Sequence, residues 1–157
     1  MIENWIDYSF YRFPKSDIRD LIKVREYLIE VARNKITNTV FYLKLIDDCN
    51  IDCTKGKSKT SNLSNILNDI FHYEFLNNRR FLTTLVISEP NGLPKGYFFD
   101  NVKKYGGNKI DLSDDVFFKN EKKEVINYWK NDDNYNKFSV FKDFTQLKIE
   151  YYKSKLP

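Results

Sequence analysis

The chain has 157 residues and a net charge of +4, and it contains 26 aromatic residues, two cysteines and one histidine. This length suits one domain with a hydrophobic core, and the aromatic content excludes a disordered chain. Cys49, Cys53 and His72 are too few for a zinc site of four cysteine and histidine ligands, and a histidine-dependent catalytic pair would need His72. The sequence therefore predicts no metal site, no cofactor and no catalytic residue.

The sequence shows no targeting or membrane segment. Residues 1–14 have neither a basic start nor a long apolar run, and no stretch reaches the roughly 18 apolar residues of a membrane helix. We therefore expect a cytoplasmic protein without membrane contact, in which Cys49 and Cys53 remain thiols.

Aromatic side chains crowd the first fourteen residues, which end at Pro14. This pattern predicts an N-terminal strap that packs on the main body. If Trp5, Tyr8, Tyr11 and Phe13 are exposed instead, they resemble the anchors of a protein interface, where Trp and Tyr often dominate the binding energy. The aromatic residues of this segment are Trp5, Tyr8, Phe10, Tyr11 and Phe13.

Three helices are predicted next. Apolar residues at helical spacing indicate a helix over about 17–33 and a second one through Val40, Leu43 and Ile46, capped by Asn38 or Thr37. Polar residues 47–62 form an exposed loop with three lysines. A third helix follows over about 62–77.

Beyond the third helix the apolar period changes from 3.6 to 2. Residues 81–87 are β-branched and apolar, residues 89–94 have turn chemistry, and residues 96–99 are again apolar, which predicts a β-hairpin. Further helices are expected over about 99–105, 114–130 and 138–153.

Three helices followed by a hairpin is the element order of a winged helix, although α+β proteins that never touch nucleic acid share it. We therefore predict a single α+β domain over residues 1–157. It comprises the N-terminal strap (1–14), a winged-helix-like core (15–107) and a helical C-terminal extension (108–157).

A series of short motifs resembles an uncharacterised group of small bacterial proteins. Their pattern runs from a Tyr-Glu helix end through Gly-Arg-Pro, an apolar strand and Gly-x-Pro-Gly-x-Gly-Phe to a late aromatic-Trp pair. The resemblance covers residues 20–130 and implies no established activity. This chain departs from the pattern at Asn78, Arg80 and Lys95-Gly96-Tyr97. The matching residues are Tyr73-Glu74, Arg79, Leu82 to Ile87, Gly92-Leu93-Pro94, Phe98-Phe99 and Tyr128-Trp129.

The helices and hairpin are also similar to the DNA-binding winged helix of alkylguanine-DNA alkyltransferases and alkyltransferase-like proteins. Those enzymes carry Pro-Cys-His-Arg near the strand that corresponds to Phe81-Leu82-Thr83. Because this chain has neither cysteine nor histidine there, the resemblance implies DNA binding without alkyl transfer.

Two polar residues at the end of the third helix have predicted structural roles. Glu74 continues the apolar face of that helix, so its carboxylate needs a partner if it is buried, and Arg79 or Arg80 could turn back to pair with it. Asn78 is expected to supply a left-handed C-terminal cap.

Nucleic-acid contacts are predicted from the positive charge of the middle of the chain, where residues 33–110 carry twelve basic and seven acidic side chains. Lysines beside the third helix and at the hairpin tip could neutralise phosphates, and helix asparagines could bind adenine edges. The predicted residues are Lys55, Lys57, Lys59, Asn65, Asn68, Arg79, Arg80 and Lys95.

Two functions follow. The first is non-catalytic DNA binding of the winged-helix type. The second is a protein-interaction module, such as an immunity, antitoxin or phage defence or counter-defence protein, that binds its partner through exposed aromatic residues.

Overall fold

A computed structural model describes residues 16–34, 36–53, 56–105, 113–142 and 156. The strap, Lys55 and most of the last predicted helix lie outside this part of the chain. The described part is mostly helical, with a small two-stranded parallel sheet, which is compatible with the α+β class. Its elements are α1 (Ile18–Asn34), β1 (Val40–Phe41), α2 (Tyr42–Asp48), α3 (Lys59–Leu76), a 3₁₀ helix (Leu82–Leu85), β2 (Val86–Ile87), α4 (Gly96–Tyr105), α5 (Asp114–Lys130) and α6 (Asp132–Phe138).

The core lies between α1, α3 and α5. Leu21, Val24 and Leu28 of α1 are fully buried in one cluster with apolar residues of α3 and with Trp129 of α5. A second cluster gathers Phe71 of α3 with aromatic residues of α4 and α5. The apolar stripes that predict these helices are therefore the faces that the fold buries.

The segment between α1 and α2 differs from the prediction. Val40 and Phe41 form a strand instead of the first turn of α2. Asn38 has a positive φ of 55°, and its side-chain amide donates to the carbonyl oxygens of Val31 and Ala32. It therefore caps the end of α1, and the prediction that it caps α2 is wrong.

The predicted β-hairpin, the wing of the winged helix, does not form in the described residues. β2 pairs in parallel with β1, with Val40 opposite Val86 and Phe41 opposite Ile87. The predicted return strand is instead the start of helix α4. The helix forms because Phe98, Phe99 and Val102 have the spacing of one buried helical face.

The turn chemistry before α4 is nevertheless present. Gly92 has a positive φ of 67°, and its amide donates to the Ser88 carbonyl at 2.9 Å. The chain leaves this turn into a helix rather than into a strand.

A last difference concerns α6, which occupies the predicted polar connection. Asn131 accepts a hydrogen bond from the amide of Asn134, and Asp132 and Asp133 lie in the first turn. These residues cap a helix that ends at Phe138, where the next helix was predicted to begin.

No helix among the described residues combines the length and the apolar character that a membrane crossing requires.

Candidate nucleic-acid interface

The predicted site residues separate into two groups, one at each end of α3. At the C-terminal end, Glu74 is fully buried. Its carboxylate accepts hydrogen bonds from two arginines. Its Oε1 lies 2.6 Å from Nε of Arg25, and its Oε2 lies 2.5 Å from Nε of Arg79. Of the two arginines that the sequence offers as partners, Arg79 therefore pairs with Glu74, and Arg25 of α1 is a second partner that the sequence does not predict.

Arg25 connects this ion cluster to the end of α6. Its two terminal nitrogens donate to the carbonyl oxygens of Ser139, at 2.9 Å, and Phe138, at 2.8 Å. The guanidinium also lies over the rings of Tyr73 and Trp129. One side chain thus joins α1, α3, α5 and the segment after α6.

The charges of the cluster stabilise each other. Burial alone would raise the pKa of the Glu74 carboxyl, but the guanidinium groups of Arg25 and Arg79 outweigh burial and hold this pKa below its usual value. For Arg79, burial lowers the pKa and Glu74 raises it, and the net shift is upward. Glu74 and Arg79 are therefore both ionised at neutral pH.

Asn78 lies at the end of α3 in the left-handed conformation, with φ 57°. Its amide donates to the Phe75 carbonyl at 3.0 Å, and the amide of Arg79 donates to the Glu74 carbonyl at 2.9 Å. These two bonds form a Schellman motif, which ends the helix and returns the Arg79 side chain towards Glu74.

Arg80 is also paired within the fold. Its Nη2 donates to Oε1 of Glu121, a buried residue of α5 whose other oxygen accepts from the amide of Phe81. Only 6% of the Arg79 side chain and 33% of the Arg80 side chain are exposed. Both arginines therefore hold the fold together at this end of α3, although the sequence predicts them as nucleic-acid contacts.

Asn68 and Lys95 have partners within the fold as well. The Oδ1 atom of Asn68 accepts from Nδ2 of Asn101 at 2.9 Å, on the side of α3 that faces α4. The Lys95 ammonium lies 4.3 Å from the centre of the Tyr42 ring, a distance typical of a cation–π contact.

The N-terminal end of α3 carries the remaining predicted residues. Lys57 and Asn65 line a polar groove of about 690 Å³ beside the first turns of α1 and α3, and Lys59 is the first residue of α3. Ser58 caps the helix by accepting from the Ser61 amide at 3.1 Å. The sequence did not predict that α1 contributes Arg19 and Lys23 to this groove.

The groove contains carboxylates, and two of them have cations in their own helix. Asp17 lies 3.6 Å from Arg19, and Asp20 lies 3.6 Å from Lys23. Asp17 also accepts from the amides of Arg19 and Asp20, as the N-terminal cap of α1. Burial is the largest single influence and would raise the pKa of Asp17, but the hydrogen bonds from the amides of Asp20 and Arg19 and the charge of Arg19 together lower this pKa.

Lys57 and Lys59 differ from these paired cations. Both are exposed, and within the described residues neither forms an ion pair with a carboxylate. Asp52 supplies a third carboxylate to the groove lining. The main-chain oxygen of Asp52 accepts a hydrogen bond from the side-chain amide of Asn62. The N-terminal end of α3 therefore presents two exposed lysines without an ion pair among the described residues, Lys57 in the groove and Lys59 at the start of the helix.

The cysteines and the histidine do not converge on a metal site in the part of the chain that the structure describes. His72 contacts the Asn68 carbonyl and the edge of Tyr105. Cys49 is buried, which raises the pKa of its thiol to about 11, and Cys53 is exposed. No group of three histidine, cysteine or carboxylate side chains among the described residues could hold a metal ion.

Comparisons with protein-family models, with curated proteins and with solved structures find no match to this chain.

Proposed function

We propose that this protein binds nucleic acid, DNA in the first instance, without catalysis, and that it does so through the N-terminal end of α3. The observation that carries the proposal is the polar groove, which Asn65 lines together with the exposed Lys57. The exposed Lys59 begins α3 two residues after Lys57, and neither lysine forms an ion pair within the described residues. The proposal also draws on the positive excess of residues 33–110.

Each residue has a defined part in this proposal. The ammonium groups of Lys57 and Lys59 neutralise backbone phosphates, which gives affinity without sequence preference. Asn65 lies almost two turns into α3, where its amide can form paired hydrogen bonds with an adenine edge. The carboxylates of Asp17, Asp20 and Asp52 repel phosphates, so the backbone must lie on the lysine side of the groove.

The proposed contact differs from that of a winged helix. Because the hairpin does not form in the described residues, a wing cannot contact the flanking backbone at residues 81–99. The proposal therefore keeps the recognition role of α3, whose first turn is exposed, and omits the contact of a wing with the flanking backbone.

The test is a salt series of binding to a short DNA duplex and to a single strand of the same length. We expect Lys57→Ala/Lys59→Ala to weaken binding and to reduce the slope of log K against log[salt] by about 2. The matched control is Lys119→Ala/Lys123→Ala, which removes two exposed lysines from α5 and changes the net charge equally. No binding at about 50 mM salt, or equal weakening by both pairs, would contradict the proposal.

The second candidate function is the protein-interaction module. Its aromatic residues at positions 5–13 lie outside the described part of the chain. Co-purification of a stoichiometric protein partner, lost when Trp5 and Tyr8 are replaced by alanine, would favour this candidate over nucleic-acid binding.

A further inference from the structure

Thr83 has a buried hydroxyl group without a partner in the fold. This residue of the 3₁₀ helix is 6% exposed, and its Oγ1 forms no hydrogen bond among the described residues. The adjacent Thr84 is also buried, but its Oγ1 donates to the Phe81 carbonyl at 2.5 Å. Burying a hydroxyl without a hydrogen bond is unfavourable, and buried polar groups nearly always have a protein or water partner. The Thr83 hydroxyl therefore points to a ligand.

A small cavity lies beside Thr83, between residues of the 3₁₀ helix, α3 and α4. Its volume is about 10 Å³, and one water molecule needs about 10 to 15 Å³. Leu67, Phe71 and Phe98 supply the apolar side of the cavity. A cavity lined by apolar groups alone stays dry, whereas a cavity that also contains polar groups holds water. The size and the mixed lining therefore match a single water molecule.

The polar side of the cavity offers further donors and acceptors. Asn68 and Asn101 both line it, and Oδ1 of Asn68 accepts from Nδ2 of Asn101 at 2.9 Å. Among the described residues, this is the only hydrogen bond of the two side-chain amides, so Nδ2 of Asn68 remains as a donor and Oδ1 of Asn101 as an acceptor. The hydroxyls of Tyr42 and Tyr97, which lie 3.3 Å apart, complete the polar lining. A buried water molecule typically forms about three hydrogen bonds, and this lining can supply them.

We propose that this cavity binds one structural water molecule, which bridges the Thr83 hydroxyl and the side-chain amides of Asn68 and Asn101. The water connects the 3₁₀ helix to α3 and α4, and it thereby stabilises the packing of α4 where the sequence predicts a return strand. The site is independent of nucleic-acid binding, because its described lining shares no residue with the polar groove at the N-terminal end of α3.

Water–protein NOE spectroscopy of the isotope-labelled full chain tests the proposal. We expect cross-peaks with the sign of a long-lived bound water at the Thr83 methyl group and at the side-chain amide protons of Asn68. The matched control is Thr84, whose hydroxyl bonds to the Phe81 carbonyl and which is not among the described lining residues. Absence of the cross-peak at Thr83 would overturn the proposal. An equal cross-peak at the Thr84 methyl group would also overturn it, because hydroxyl proton exchange would then be the source.

Thr83→Val replaces the hydroxyl with a methyl group and gives a second, independent test. A hydroxyl bonded to a water molecule contributes to stability, so the equilibrium constant of unfolding, measured by urea denaturation, should rise by about fivefold. Thr84→Val is the matched control, because it removes a hydroxyl bonded directly to the protein. Its unfolding constant should rise by a similar factor while the water cross-peak at Thr83 remains. A hydroxyl without any partner is unfavourable, so an unchanged or lower unfolding constant in Thr83→Val would overturn the proposal.

Discussion

The two ends of α3 carry residues of similar chemistry in opposite environments. At the C-terminal end, Arg79 and Arg80 pair with the buried carboxylates of Glu74 and Glu121. At the N-terminal end, Lys57 and Lys59 are exposed and form no ion pair within the described residues. A basic residue near α3 is therefore either part of the fold or available to a ligand, depending on which end it occupies.

The difference between the two ends of α3 corresponds to the type of cation, which is arginine at the C-terminal end and lysine at the N-terminal end. All five arginines in the described part of the chain have a carboxylate within ion-pair distance, and two of these carboxylates are buried. Most of the described lysines are exposed. A guanidinium has a planar fork of donors and is weakly hydrated, so it suits buried pairs, whereas an ammonium keeps its hydration at the surface.

The largest expected effect is that of removing the Glu74 charge. Glu74→Gln preserves the shape of the side chain but leaves the guanidinium groups of Arg25 and Arg79 buried without a counter-charge. We expect the free energy of unfolding, measured by urea denaturation, to fall by about 3 to 5 kcal/mol.

Glu124→Gln is the matched control, because Glu124 is exposed on α5, and its effect should stay within about 0.5 kcal/mol. A loss of less than about 1 kcal/mol in Glu74→Gln would show that the cluster does not hold the C-terminal end of α3.

The Glu74 carboxylate also makes the free energy of unfolding depend on pH, and this effect is of intermediate size. The pKa of Glu74 in the folded protein lies below its ordinary value of 4.5. Its contribution to stability is therefore complete above that value and is lost as the pH falls towards the folded pKa. Urea denaturation at a series of pH values should show a constant gap between wild type and Glu74→Gln above pH 4.5 that narrows below it. A gap that widens in acid would contradict the sign of the shift.

Loss of the ion pair between Arg80 and Glu121 should lower the free energy of unfolding by less than loss of the Glu74 charge. Arg80→Met keeps the aliphatic stem, and Glu121 retains its hydrogen bond from the Phe81 amide. The unfolding free energy should fall by about 1 to 2 kcal/mol. Arg19→Met, at an exposed ion pair of α1, serves as the comparison and should change it by less than about 0.5 kcal/mol. Equal losses in the two variants would remove the distinction between buried and exposed pairs.

The smallest effect on stability belongs to the N-terminal end of α3. Lys57→Ala/Lys59→Ala removes two solvated side chains. The free energy of unfolding, measured by urea denaturation, should therefore match that of the wild type within about 0.5 kcal/mol. A clear destabilisation would mean that these lysines also serve the fold.

Local signals predicted the C-terminal end of α3 well. Glu74 continues an apolar face, Arg79 follows the helix end, and Asn78 tolerates a positive φ, so the pair and the cap were both recognisable from adjacent residues. Arg25 was not predicted as a partner because it lies 49 residues earlier in the chain. Glu121 was missed for the same reason, since it lies 41 residues after Arg80.

The error over the hairpin has a different cause. Residues 81–87 have strand composition, but the pairing of β2 with β1 is a long-range choice that composition does not fix. The window from Gly96 to Phe99 is too short to distinguish strand alternation from one helical face, and the sequence places Val102, which completes that face, in a separate short helix.

Amide NMR of isotope-labelled protein titrated with a short DNA duplex tests the contrast between the two ends of α3 most directly. We expect chemical-shift changes that concentrate on Lys57, Lys59 and Asn65 and on the first turns of α1, with Arg79 and Arg80 unchanged. Shifts centred on Arg79 and Arg80, or no shifts at about 50 mM salt, would contradict this expectation.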